Sequence, residues 1–215
     1  MGRSGRYDGP VAHIPAAERR PQLVQAAIDL MAREGIAAGS TRAIAAELGV
    51  AQATVHYTFG TKKELYAAVL ERLTGDILER VRTAAPGEVS FDGTVQAMAR
   101  ALGASLRERP GQYLLMTELY VLALRDPDLR EMAAEQQRGL EDTTAALVTE
   151  VSRRSGTDPA VDARTMARFF LAGFDGLAMQ HLTASAPGDS GGPLEADLEL
   201  LVASCLELAC KDPRG

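Results

Sequence analysis

Apolar residues in this chain recur at the three-to-four-residue interval of an α-helix, segment after segment, and each run closes on a helix stop before the next begins. Leu23, Val24, Ala27, Ile28, Leu30 and Met31 fall on that period within residues 18–35, and Gly35 ends the run. Pro21 suits this helix within its first turn, where no hydrogen-bonded amide is lost. Ser40 is placed to cap a second helix over 41–48, which stops at Gly49, and a short third helix covers 52–59. Thr61-Lys62-Lys63-Glu64 is a capping box ahead of Leu65, Ala68, Val69, Leu73, Ile77, Leu78 and Val81, which predict a long fourth helix ending near Pro86-Gly87. Further helices are expected over 90–108, 111–125, 127–154, 159–184 and 194–210. Asp126-Pro127 and Asp158-Pro159 each read as a cap followed by Pro at the first helical position. Strand-like alternation between hairpin turns is absent, so the chain is expected to be all-α with about nine helices.

At 215 residues the chain can bury a core without disulfides. Cys205 and Cys210 sit five apart on the last helix and read as reduced thiols, while His13, His56 and His181 are scattered. No metal site and no cofactor are therefore expected. No apolar run has signal-peptide or membrane-spanning length, which sets the expectation of a cytoplasmic protein that does not engage membranes. The net charge of −6 is unevenly spread: residues 1–63 hold eight Lys/Arg against five Asp/Glu, and the remainder fifteen against twenty-four. A positive front end on an acidic protein points to a polyanionic partner. Three parts follow: a flexible Gly-, Arg- and Pro-containing arm over 1–15, a helix-turn-helix domain over 16–64, and a larger helical domain over 65–215.

Residues 41–59 carry the motif. An eight-residue helix, a tight turn at Gly49-Val50-Ala51 and a second short helix, with Ile44, Ala45, Leu48, Val50 and Val55 able to pack inside, make a helix-turn-helix. Its second helix would enter the major groove with Gln52, Ala53 and Thr54 near the base edges. Gln52 has the donor and acceptor to pair with adenine, and Ala53 can touch a thymine methyl. Thr54, Tyr57 and Lys62 suit phosphate, as do the amides that open the helix after Thr61.

The run from residue 20 to 65 resembles the DNA-binding domain of TetR-family transcriptional repressors, through Ala26-Ala27, Gly35, Thr41-Arg42, Ile44-Ala45, Leu48-Gly49-Val50, Thr54-Val55, Tyr57, Phe59, Lys62 and Glu64-Leu65. The resemblance implies a homodimer on a palindromic double-stranded DNA operator, with a variable C-terminal domain whose small-molecule ligand spreads the two reading heads. The DNA-contacting set becomes Thr41, Arg42, Gln52, Ala53, Thr54, His56, Tyr57 and Lys62. Departures are Ala51 for a capping Ser, Ala53 for a frequent Gly, His56 for a phosphate-contacting Tyr, and Thr58 where the family often has His. His56 fills its position as a neutral ring or, when protonated, as a phosphate donor.

Gly188-Asp189-Ser190-Gly191-Gly192-Pro193 spells the serine signature of chymotrypsin-like proteases. That serine works only on a β-barrel scaffold beside a buried His-Asp pair, and in a helical chain the same residues make an interhelical loop. Phosphate-loop and dinucleotide fingerprints are absent, and no catalytic residues are assigned. In the C-terminal part, Met98, Leu102, Tyr113, Met116, Tyr120, Phe170 and Phe174 are the candidates for lining an apolar ligand pocket, with Tyr113, Glu118, Gln136 or His181 as polar anchors. The expected effector is apolar or aromatic. Phe169, Gly173, Leu177, Leu198, Leu201, Val202 and Cys205, on the last two helices, are the candidate dimer contacts, which the resemblance would place in a four-helix bundle across a two-fold axis.

Overall fold

The computed structural model describes residues 16–84, 90–184 and 194–210. Its helices are α1 (Ala16–Glu34), α2 (Thr41–Leu48), α3 (Gln52–Phe59), α4 (Lys62–Thr83), α5 (Phe91–Glu108), α6 (Pro110–Arg125), α7 (Pro127–Ser155), α8 (Ala163–Ala184) and α9 (Leu194–Cys210), and no strand occurs among the described residues. The predicted arm over 1–15, the Pro86-Gly87 break and the protease-like loop 188–193 lie outside them.

Local chemistry sets most of the boundaries. The Ser40 hydroxyl accepts from the Ala43 amide at 3.1 Å, and Gly49, at φ 68°, closes α2 in the left-handed conformation that costs glycine least. Thr61 caps α4 by accepting from the Glu64 amide at 3.2 Å, and Asp126 caps α7 by accepting from Asp128 at 3.0 Å. Ala51 stands at the cap position of α3 with extended backbone and no side-chain acceptor.

Two starts differ from expectation. α1 begins at Ala16, which makes Pro21 its sixth residue, past the first turn. The proline faces solvent, where water can serve the carbonyl that lacks its helical donor. Asp158-Pro159 does not open α8; Asp162 does, accepting from the Thr165 amide at 3.0 Å, and hydrogen bonding with Thr165 holds its carboxyl below the usual range. A 3₁₀ turn over Ile36–Ala38, too short to show a period, joins α1 to α2.

The largest core cluster runs from Leu23, Ile28 and Met31 of α1 through Ile44, Val55 and Phe59 to Leu65, Val69, Leu70 and Leu73 of α4. It continues into Leu115, Leu119 and Ala123 of α6 and Leu129 and Met132 of α7. Burying each large apolar side chain there contributes about 1.5–3 kcal/mol. Residues 64 and 65, where the two parts were expected to meet, thus sit beside one continuous core. A second cluster joins α5, α6, α8 and α9 through Leu102, Leu106, Tyr113, Phe174, Leu194 and Leu198.

The helix-turn-helix meets the rest of the chain through α4, in the shared core, and where α1 packs on α6. A Cβ on Gly111 would stand 2.6 Å from the Ala32 carbonyl oxygen, so only glycine allows this approach of α6 to α1. About two turns further along α6, Glu118 Oε2 accepts from the Ile36 backbone amide at 2.9 Å.

Replacing Ala51 with Ser supplies the missing cap and is expected to stabilise the fold by about 1 kcal/mol, whereas Gly49→Ala, which meets open space, costs about 1 kcal/mol for its backbone conformation alone. Urea unfolding midpoints read both; equal midpoints for Ala51→Ser and the parent would contradict the first.

Candidate nucleic-acid interface and internal cavity

The helix-turn-helix is held by short bonds and a small core. The Val50 amide donates to the Ala45 carbonyl at 2.9 Å, which turns the chain from α2 into α3, and Val55 and Phe59, four residues apart, bury the inner face of α3. Gln52, Ala53, His56 and Tyr57 are then on the outer face, all exposed, Tyr57 by 87%. Arg42 and Lys62 are also exposed, while Thr41 and Thr54 are half-buried.

Two polar contacts order this face. Gln52 Nε2 donates to Thr41 Oγ1 at 3.2 Å, which fixes the amide plane at the start of α3 and leaves its carbonyl oxygen and second N–H outward. Thr58 spends its hydroxyl on the Thr54 carbonyl at 2.7 Å. The far end of α3 is pinned to α1 by Arg20, whose guanidinium lies 5.1 Å from the Phe59 ring centroid and donates to the Thr58 carbonyl at 3.3 Å. Sequence reading passed over Arg20 because its partners lie 38 and 39 positions away.

A cavity of about 500 Å³ lies among α4, α6, α7 and α8. Leu102, Tyr113, Met116, Tyr120, Phe170 and Phe174 border it as expected. Met98, Gln136, His181 and Glu118 do not, Glu118 being turned to the Ile36 amide. Met98 packs with Phe91, Val151 and Met166, Gln137 takes the place expected of its neighbour Gln136, and on α8 the border passes through Ala178 and Met179 one turn before His181. The sequence reading also missed Thr74, Ile77, Leu78 and Val81 of α4, although their spacing of three to four residues marks one helix face, and it missed Asp175.

Phe170 and Phe174 stack with ring centroids 6.4 Å apart, and Tyr113 meets Phe174 edge-on at 6.0 Å. The Tyr113 and Tyr120 hydroxyls are buried without a well-formed hydrogen bond, although Ser105 lies close enough to Tyr113 to act on it. Burial pushes the Tyr113 phenol up to about 12 against the opposing effects of Ser105 and Arg80. It does the same to Tyr120, also to about 12, with the Asp175 charge adding to the shift.

The candidate dimer residues divide. Phe169 is exposed by 45%, but Leu198, Val202 and Cys205 are buried within the chain, and Leu177 and Leu201 pack on the core that α8 and α9 share with α5. Gly173 lies against Leu201, where a Cβ would come within 2.5 Å of that side chain. These residues therefore fasten α9 to α8 in one chain, because the apolar stripe faces inward. The open face consists of Phe169, Ala172, Gly176 and Met179 on α8 with Ala196, Leu200 and Ala203 on α9.

Residues 23–69 match the model of the bacterial regulatory proteins of the tetR family, and residues 89–208 match the tetracyclin repressor-like C-terminal domain. The chain belongs to the TetR family. It is 24% identical over 185 residues to the HTH-type nicotine-responsive transcriptional repressor HdnoR of Paenarthrobacter nicotinovorans, covering 86% of this chain and 92% of that one. It is 28% identical to the HTH-type transcriptional activator FasR of Mycolicibacterium smegmatis over 86% of this chain and 82% of that one. Among solved structures it is similar to the multidrug binding protein EbrR complexed with imidazole, at 32% identity and a TM-score of 0.62 over 91% of this chain and 95% of that one. This TetR-family chain is thus a DNA-binding transcriptional regulator, all-α, from a class of regulators rather than enzymes. No helix among its described residues is long and apolar enough to cross a membrane.

If Gln52 reads a base with its amide set by Thr41, Gln52→Ala lowers discrimination at one operator position by about 1–3 kcal/mol. Thr41→Val relaxes the same position, and the double variant loses less than the sum. A base-substitution series read by fluorescence anisotropy checks this; additive losses, or losses at different positions, would separate the two residues.

Proposed function

We propose that the chain is a repressor, a homodimer joined through the open face of α8 and α9, which binds a palindromic operator through the start of α3 and leaves it when an apolar or aromatic effector fills the cavity. Thr41, Arg42, Gln52, Ala53, Thr54, His56, Tyr57 and Lys62 make the DNA surface, with Gln52 and Ala53 on bases and Tyr57 and Lys62 on phosphates. On this reading residues 16–64 form the reading head and 65–215 the sensing and dimerising part, and the protein works in the cytoplasm.

One observation carries the coupling: α6 is shared. Tyr113, Met116 and Tyr120 border the cavity, while Gly111 and Glu118 on the same helix touch Ala32 and Ile36 of the head. A ligand that shifts α6 must therefore disturb the hold on α1, because a packed seam does not deform by degrees. Similarity to a nicotine-responsive repressor and to a multidrug binding protein supports an effector in this cavity. Activation is the second reading, favoured by the similarity to FasR.

The test is binding of the purified protein to the DNA upstream of its own gene, followed by anisotropy across a salt series with random duplex as competitor. Competitor-resistant binding by two chains or more per site is expected, with affinity falling steeply as salt rises. Tyr57→Ala and Lys62→Ala should weaken binding to every sequence and shallow the salt slope by about one each. Binding no tighter than to random duplex would contradict the operator reading at that site.

A further inference from the structure

A second cavity, also of about 500 Å³, opens on the other side of α4 from the first. Thr74, Ile77, Leu78 and Val81 border the apolar cavity, while Arg72, Asp76, Glu79 and Arg80 lie half a turn round the same helix and border a crevice. α1 flanks this crevice with Gln25 and Asp29, and the start of α6 with Arg109 and Gln112. Every side chain on its border carries a charge or a carboxamide, so an apolar body finds no wall to rest on. The charges are unevenly spent. Arg72 pairs with Asp76 at 3.0 Å, and Arg80 pairs at 2.9 Å with Glu108, which lies off the border. Gln25 Nε2 donates to Asp29 at 2.9 Å. The Arg109 guanidinium, the Gln112 carboxamide and the Glu79 carboxylate have no side-chain partner among the described residues. Asp29 and Arg109 stand on the two helices of the seam, three residues before Ala32 and two before Gly111, and they border one cavity without pairing with each other.

What remains open is one guanidinium and two carboxylates around a wet crevice. An anion there gains Arg109 but is repelled by Asp29 and Glu79, and a simple cation gains the carboxylates but is repelled by Arg109. A molecule that carries both charges answers each wall. We propose that the crevice binds a small zwitterion of the amino-acid class, its carboxylate on the Arg109 guanidinium and the Gln112 side-chain N–H, its ammonium between Asp29 and Glu79. These pairs are open to water and each contributes little, so the expected dissociation constant is about a millimolar. Occupancy ties α1 to α6 beside the Ala32–Gly111 contact. On the reading that this seam holds the head for DNA, the zwitterion raises operator affinity where a ligand of the apolar cavity lowers it. That consequence rests on the proposed function; the binding itself does not.

The probes are glycine, β-alanine, 4-aminobutyrate and 6-aminohexanoate, which hold the two charges at increasing separation, with butyrate and butylamine as molecules of one charge. Each is titrated into the intact chain and followed by saturation-transfer NMR at low ionic strength and about pH 7, where ammonium and carboxylate are both charged. At least one of the four amino acids is expected to bind about tenfold more tightly than butyrate and butylamine. Arg109→Gln and Asp29→Asn should each lower the affinity for that amino acid about fivefold or more, and Arg109→Lys, which keeps the charge, should lower it less. Binding of none of the four would overturn the proposal, as would butyrate or butylamine binding as tightly as the best of them; neither result needs a variant to fold. Unchanged affinity in both Arg109→Gln and Asp29→Asn would place the amino acid elsewhere and overturn it too. At saturation the best binder should raise operator affinity about threefold, read by anisotropy. Unchanged operator affinity would overturn the hold on α1, whereas a parent chain that binds no operator at all would count against the operator reading and leave the NMR result to decide the site.

Discussion

The cavity and the helix-turn-helix are joined by a seam where α6 crosses α1, beside α4, which runs from the same core to the cavity border. The approach is close enough that the Gly111 hydrogen stands where a methyl would strike the Ala32 carbonyl, and its far end is tied by the Glu118 carboxylate to the Ile36 amide. That amide sits in the 3₁₀ turn between α1 and α2, where no regular helical bond would satisfy it, so the bond is charge-assisted and specific. Apolar contact along Leu115 and Leu119 makes the seam continuous with the core of the head.

The seam gives α6 two faces with different duties. Residues at 113, 116, 117 and 120 look into the cavity, while 111, 115, 118 and 119 look toward α1 and the 3₁₀ turn or into the core beside them. A helix that fills both positions cannot rotate or slide on one side and stay fixed on the other. This is how a cavity among α4, α6, α7 and α8 can bear on the proposed DNA surface of α2 and α3. The exposed ion pair of Lys63 with Glu131, at 4.0 Å between α4 and α7, adds little to this hold.

Much of this was legible in the sequence, for definable reasons. Helices announce themselves by period and caps, so Ser40, Gly49, Thr61 and Asp126 located their boundaries, and the turn between α2 and α3 followed. What the sequence hid depends on long-range partners. Arg20 over Phe59 and Glu118 on Ile36 leave no local pattern. The direction of the apolar stripe on α9 was also ambiguous: Leu198, Val202 and Cys205 show that it is buried, but only the neighbouring α5 and α8 decide that the burial is within one chain. Asp175 was passed over because a single acidic residue on a helix ordinarily means solvent, and only the packing of α8 brings this exposed residue to the border of the cavity.

The claim that the head is held through α6 is tested most directly by the operator affinity of Glu118→Ala, measured by anisotropy against the parent chain under conditions where both are folded. Loss of the charge-assisted bond frees the turn at Ile36, and the account predicts affinity lower by about tenfold, since the head must then be ordered on the DNA itself. Affinity equal to that of the parent would contradict it, and would mean that the reading surface is set by α1 to α4 alone.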